Sequence, residues 1–165
     1  MIDRIDSFIA YFETVRRRTL HYCRAVPSEQ IDWAPRPGEL SFGDLVRHIA
    51  AAEQMFVGVA AAGRWAYPGH ERERGATHAE AMAHLAAVHA DAVAALGALD
   101  DEALRDERPA LDGRPVAVWR VLMLMVEHEV HHRSQIASHL AELGVAPPQI
   151  YGLSLEELMV RSGGL

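Results

Sequence analysis

Apolar positions recur along most of the chain with spacings of three and four, the period of a helix that buries one stripe. Ile5, Phe8, Phe12, Val15, Thr19, Tyr22 and Val26 follow this rule and predict a first helix over residues 2–26, ended by Pro27. Phe42, Leu45, Ile49, Ala52, Phe56 and Val59 predict a second, to about Ala62, with Ser41 as its N-cap. Thr77-His78-Ala79-Glu80 reads as a capping box opening a third helix to about Leu99. The fourth runs from about Val116 to Leu143, where Gly144 and Pro147-Pro148 stop it. Ser154 caps a short last helix over 155–161, and Ser162 to Leu165 reads as a frayed tail. No segment alternates with period two. The expectation is an all-α chain, a four-helix bundle with long connectors and a short C-terminal helix, forming one domain over residues 1–165.

The connectors over 27–40, 63–76 and 104–115 are rich in Pro and Gly and longer than is usual in a bundle, so at least one is expected to cross over it. Ile31 and Trp33 are expected to fold back as a lid, and Asp112-Gly113 marks a tight turn. Trp119, Met123, Val126, Val130 and Ala137 form a second apolar stripe on the fourth helix, roughly 150° from the first. It must be covered by a partner copy or by the chain's own connectors.

Composition narrows the function classes. The net charge is −7 and no basic cluster stands out, which argues against a nucleic-acid partner. Arg16, Arg17 and Arg18 form the one dense basic run and are read as the outer side of a helix. Cys23 is the sole cysteine, which fits a reducing cytoplasm. The first residues carry no apolar signal core, and no apolar run reaches the ~18 residues of a membrane span.

The chemistry is concentrated in Glu127-His128-Glu129-Val130-His131-His132-Arg133-Ser134-Gln135. On a helical wheel Val121, Met125, His128, His132, Gln135, His139 and Leu143 share one face. His128 and His132 are i,i+4 neighbours, close enough to share one metal ion at about 2.0–2.1 Å from each nitrogen. His131 falls about 60° off the stripe and reads as a rim residue. His139 is on the stripe but about 10 Å further along the axis, too far for the same ion. His48 projects to the core side of the second helix and becomes the natural third ligand. His78, His84 and His89 share no i,i+4 face and read as surface or edge residues.

Residues 128–132 also match H-E-x-x-H, which in zinc peptidases supplies two ligands and a general base, here Glu129. The extended form of that motif needs Gly and then His downstream, where this chain has Gln135 and Ser138. Peptidase chemistry is therefore a lesser reading, with Glu129 a weak candidate base.

Leu45-Val46-Arg47-His48-Ile49, His128-xxx-His132-Arg133-Ser134-Gln135-Ile136, the entry loop Ile31-Asp32-Trp33-x-Pro35-x-Pro37-Gly38 and the connector Leu111-Asp112-Gly113-Arg114-Pro115 together resemble the DinB/YfiT-like superfamily over essentially the whole chain. The resemblance implies a four-helix bundle of unusual connectivity, usually a homodimer. It also implies a divalent ion, zinc or nickel foremost with iron or manganese as alternatives, held by His48, His128 and His132. An ion held by three neutral imidazoles keeps a coordination position open for water or a thiolate. The implied function is a metalloenzyme acting on a small molecule, either a low-molecular-weight-thiol-dependent S-transferase or a hydrolase. The alternatives are a metal-binding stress protein without turnover and a plain bundle with core histidines.

Overall fold

The computed structural model describes residues 2–163; Met1, Gly164 and Leu165, the last two belonging to the expected frayed tail, lie outside the described residues. Four long helices form where the periodicity places them: α1 (Ile5–Ala25), α2 (Phe42–Ala62), α3 (His78–Gly97) and α4 (Val118–Glu142), followed by a short α5 (Leu155–Arg161). The starts of α2, α3 and α5 are set by reciprocal capping: Ser41 with Asp44, Thr77 with Glu80, and Ser154 with Glu157. At the end of α4, Gly144 adopts φ +81° and the Val145 amide donates back to the Leu140 carbonyl, closing the helix.

Helix α1 packs against α3 and α4, and so does α2. The two helices that are consecutive in sequence, α1 and α2, therefore stand across a diagonal, as do α3 and α4. This explains the long connectors: the chain must cross one end of the bundle between α1 and α2, and the other end between α3 and α4. In the first crossing Ile31 is buried and Trp33 stacks on Phe42, 5.6 Å between centroids, so the expected fold-back occurs. The crossing runs so close to α2 that a Cβ on Gly43 would lie 3.1 Å from the Ile31 carbonyl oxygen and 2.8 Å from Arg47 Nη1.

The second crossing departs from the expectation of no strands. Residues Glu107–Pro109 (β1) and Pro115–Ala117 (β2) pair antiparallel, with Arg108 opposite Val116. Each strand is three residues long, too short to display an alternating pattern. The Asp112-Gly113 turn does form between them, with Gly113 at φ +79° and its amide donating to the Ala110 carbonyl.

Apolar packing is divided into two clusters. One joins Phe8, Phe12, Phe56, Leu96, Leu122 and Met125; the other joins Tyr22, Phe42, Leu45, Leu85, Ile136 and Leu140. Between them lies a buried charged layer to which each long helix contributes from near its middle. Arg16 of α1 is 2% exposed, which corrects its reading as a surface residue. Its Nε and Nη2 donate to Glu129 Oε1 and Oε2 of α4 at 3.1 and 2.7 Å, and Nη2 also donates to Glu53 Oε2 of α2 at 2.7 Å. Glu53 Oε1 lies 2.7 Å from Nδ1 of His89 on α3, whose Nε2 lies 3.2 Å from Glu13. His89 is thus part of this layer and not the edge residue expected. Of the basic run only Arg17 is exposed, and Arg18 is half-buried.

The buried face of α4 runs through Leu122, Val126, Glu129, Arg133, Ile136 and Leu140. The histidine stripe is one flank of that face, so His128 and Gln135 are half-buried while His132 is buried. Of the second predicted stripe, Val126 is buried, Trp119 and Ala137 pack against the core, Met123 is half-buried and Val130 is exposed. Among the described residues no helix is long and apolar enough to cross a membrane.

Two outcomes are expected. Replacing Arg16 by Leu leaves two buried carboxylates without their cation and should cost about 3–5 kcal/mol in urea unfolding. Burial lowers the His89 pKa, but the Glu53 hydrogen bond and charge outweigh it and the net shift is upward from 6.5. The groups facing it are Glu53 from α2 and Glu13 and Arg16 from α1. A raised folded-state pKa contributes stability below the unfolded value that is lost as pH rises through the folded one. His89 should therefore contribute a falling component to the unfolding midpoint between pH 6 and 8, opposite in sign to that of the lowered His48, His128 and His132, and His89→Gln should remove that component alone.

Candidate metal centre

His48 stands nearly two turns inside α2, and His128 and His132 stand one turn apart on the flank of α4 that faces it. Their Nε2 atoms form a triangle with sides of 3.1 Å (His48–His128), 3.0 Å (His48–His132) and 3.1 Å (His128–His132). The three rings meet at 4.3 to 4.9 Å between centroids.

The outer ring nitrogens decide what that triangle offers. His132 Nδ1 lies 2.6 Å from Gln135 Oε1, a carbonyl oxygen that can only accept, so the His132 proton is on Nδ1 and Nε2 presents a lone pair. His48 Nδ1 lies 2.6 Å from the Tyr67 hydroxyl, which is itself 2.6 Å from His70 Nδ1. The Tyr67 hydroxyl can donate to His70 and accept from His48 Nδ1–H, the arrangement in which His48 Nε2, like that of His132, presents a lone pair. Two lone pairs at 3.0 Å repel unless a cation sits between them. Nitrogens bound to one ion at about 2.0–2.1 Å lie about 3.0–3.4 Å apart, which the observed triangle matches. The donor set therefore fits a divalent ion.

Electrostatics point the same way. Burial first, and then the neighbouring imidazoles His132 and His70, push the His48 pKa down to about 4. Burial followed by His132, His48 and His131 does the same for His128, also to about 4. Burial lowers His132 as well, against the opposing Gln135 hydrogen bond. All three rings are neutral at pH 7, the state a metal ligand requires.

The loop over residues 63–76 brings Tyr67 and His70 to His48, and the clamp that holds it is Arg47. This residue, 1% exposed, donates from Nε to the His70 carbonyl at 2.9 Å and from Nη1 to the Gly75 carbonyl at 2.7 Å; Nη2 is fixed by Asp44 at 2.7 Å. Trp65 of the same loop donates from Nε1 to the Pro109 carbonyl at 2.7 Å and packs edge-on against Phe56, which in turn packs edge-on against His128.

Of the residues singled out in the sequence, His48, His128 and His132 come together. His131 is exposed with its ring against His132, at the rim as expected. His139 is buried away from the triangle, donating from Nε2 to the Leu40 carbonyl. Glu129 is not placed as a base: it is 2% exposed and both its oxygens accept from Arg16, so it is committed to the charged layer. Gln135 and Arg47 were missed as supporting residues, and the hydrogen bonds that join Tyr67 and His70 to His48 were not foreseen. Gln135 carried a signal, since it lies three residues after His132 on the same helical face; the loop residues carried none, because only the fold brings them to His48. A groove of about 280 Å³ between α2 and α3 shares no residue with the triangle.

No curated protein matches the sequence. Solved structures similar to this chain include the DinB-like protein YjoA from Bacillus subtilis, at 23% identity, covering 87% of this chain and 96% of that one with a TM-score of 0.71. A DinB-like protein from Bacillus cereus matches at 21% identity over 90% of this chain and 99% of that one, TM-score 0.72. YfiT from Bacillus subtilis, described as a probable metal-dependent hydrolase with an unusual four-helix bundle topology, matches at 19% identity over 86% and 89%, TM-score 0.65. These likenesses show that the fold found here is one already seen in solved proteins. The model of the DinB family matches residues 1–162, nearly the whole sequence including all three converging histidines, and the chain belongs to that family.

Proposed function

We propose that this protein is a metal-dependent enzyme that holds one divalent ion through Nε2 of His48, His128 and His132 and hydrolyses a small molecule. The observation that carries the reading is the triangle of neutral imidazoles with its outer nitrogens engaged by Tyr67 and Gln135. The description of YfiT as a probable metal-dependent hydrolase supports the same class. Neutral imidazoles suit zinc and nickel, and also iron. When bound, such an ion supplies Lewis-acid chemistry, polarising a substrate oxygen and favouring deprotonation of a small protic partner.

The chain's own residues do the rest. Gln135 and Tyr67 hold two rings in orientation and keep their protons on the outer nitrogens. Phe56 walls the triangle from the α2 side, and the Tyr67 hydroxyl links His48 to His70, which places a proton-carrying group beside the triangle. A thiol transferase is the second reading. What favours an external thiol over an internal one is Cys23: it is fully buried, and burial pushes its thiol up to about 12.

Elemental analysis of untagged protein should find about one ion per chain, and His48→Ala, His128→Ala and His132→Ala should each lose most of it. Tyr67→Phe and Gln135→Ala should keep the ion but bind it about 10–100-fold more weakly. Full retention in all three histidine variants would refute the site. Ester and amide substrates are assayed beside a chromogenic electrophile with bacillithiol, mycothiol, glutathione or cysteine. Turnover of the first set that disappears in His132→Ala supports the hydrolase, and turnover confined to the second set replaces it with the transferase.

Cys23 should stay unlabelled by a disulfide-exchange reagent in native protein at pH 8 and react fully once guanidinium unfolds the chain. Any activity should survive prior treatment with iodoacetamide under native conditions. Loss of activity together with native labelling would place Cys23 in the chemistry.

A further inference from the structure

Beside the histidine triangle lies an open cavity of about 450 Å³. Its walls are Met55 and Phe56 of α2, Trp65 of the 63–76 loop, Leu111 of the hairpin turn and Leu124 of α4, and it meets the triangle at His128. The remaining contributors are Glu127 and His131. Glu127 is already engaged by Arg120 at 2.6 Å, and His131 belongs to the rim of the triangle. The cavity therefore has an almost wholly apolar wall and one polar end, and that end is His128.

One detail shows that part of the wall is held in place, and a second shows an apolar side chain presented to solvent at its mouth. Trp65 spends its only polar atom on the Pro109 carbonyl, which locks its indole between the loop and the strand β1. Leu111 sits at the turn between β1 and β2 with 80% of its surface exposed, a position where a polar residue would serve the turn equally well. A large apolar side chain left in water at the mouth of an apolar cavity is stabilised when something apolar fills that cavity.

We infer that this cavity is the specificity pocket of the site, and that the protein's substrate is amphipathic: an uncharged alkyl or aryl arm lies against Trp65, Leu111 and Leu124 while the reacting polar group reaches the histidines. The substrate class follows from the walls. Among the described residues no arginine lines the cavity, and the one charged side chain there, Glu127, is an anion paired with Arg120, so a carboxylate or phosphate on the arm would find no partner. The volume lies within the range of small-molecule sites and accommodates an arm of about ten heavy atoms. This inference rests on the proposed metal site for the position of the polar group, but the apolar arm has its own walls and can be tested without the metal.

The first probe is the neutral fluorophore N-phenyl-1-naphthylamine, titrated into chelator-treated and zinc-loaded protein. Saturable one-to-one binding is expected in both, weakened at least ten-fold by Leu124→Ser and several-fold by Leu111→Ser, a surface change that leaves folding intact. The second is a series of straight-chain hydroxamic acids from aceto- to octanohydroxamate, titrated into zinc-loaded protein. Affinity should rise about three- to four-fold per methylene until the cavity is filled, and octanohydroxamate should displace the fluorophore. Hydroxamate affinity that is independent of chain length, or fluorophore binding unchanged in both variants, would overturn the pocket while leaving the metal site intact. Fluorophore binding lost in the variants, in a protein that takes up no zinc, would uphold the pocket and refute the metal site instead.

Discussion

The bundle depends on one buried cation. Arg16 carries a positive charge in a layer with two buried carboxylates, Glu53 and Glu129, and ties α1 to both helices that bear the histidines. Burial alone would lower its pKa, yet the two carboxylates more than compensate and the net shift is upward. The arrangement sets register as much as it stabilises. Three helices must place their midpoints at one level for five donor and acceptor atoms to meet, and a slip of either α2 or α4 by one residue would rotate its glutamate about 100° away. Because Glu129 is the residue after His128 and Glu53 lies five residues after His48, the same constraint that aligns the charges also aligns the imidazoles. One guanidinium nitrogen, Nη1, has no partner among the described residues, so even this layer is not completely satisfied.

The histidine site stands at the flank of this layer. Were His128 on the centre line of α4, it would be sealed in the core as Glu129 is. Its place about a quarter-turn away leaves it half-buried: dry enough to be neutral at pH 7, open enough for a small molecule to reach. Gln135 and Tyr67 complete the site from opposite sides, one from the same helix and one from a loop that Arg47 pins by its backbone.

Much of this could be read in advance, for reasons that particular residues make plain. The stripes through Phe8, Phe12 and Val15, and through Leu45, Ile49 and Phe56, are strong because a long helix repeats its signal several times. The i,i+4 pair His128 and His132 was visible by the same arithmetic, and His48 followed from its place beside Leu45 and Ile49. The strands β1 and β2 were not visible, since three residues cannot repeat anything. Arg16 was misread because it sits in a run of three arginines, and such a run looks solvated. The contrary signal was present: Arg16 lies four residues after Phe12 and three before Thr19, on the buried stripe itself, as Glu53 lies between Ile49 and Phe56. Charged residues of both signs on the apolar stripes of different helices were the mark of a buried layer. Tyr67 and His70 had no such mark, because a loop residue's neighbours across space leave no period in the chain.

Arg47 holds the 63–76 loop by the carbonyl oxygens of His70 and Gly75 and by no side chain of either. Every residue type carries that carbonyl, so the anchor is indifferent to what the loop displays. Side chains facing the histidines can be exchanged without breaking the two hydrogen bonds from Arg47 to the loop, provided that Gly75, where a Cβ would lie 2.6 Å from the Ala81 amide nitrogen, is kept. Selection can thus rewrite the chemistry over a fixed trio of imidazoles one loop substitution at a time, with Arg47 acting as a socket that accepts interchangeable inserts.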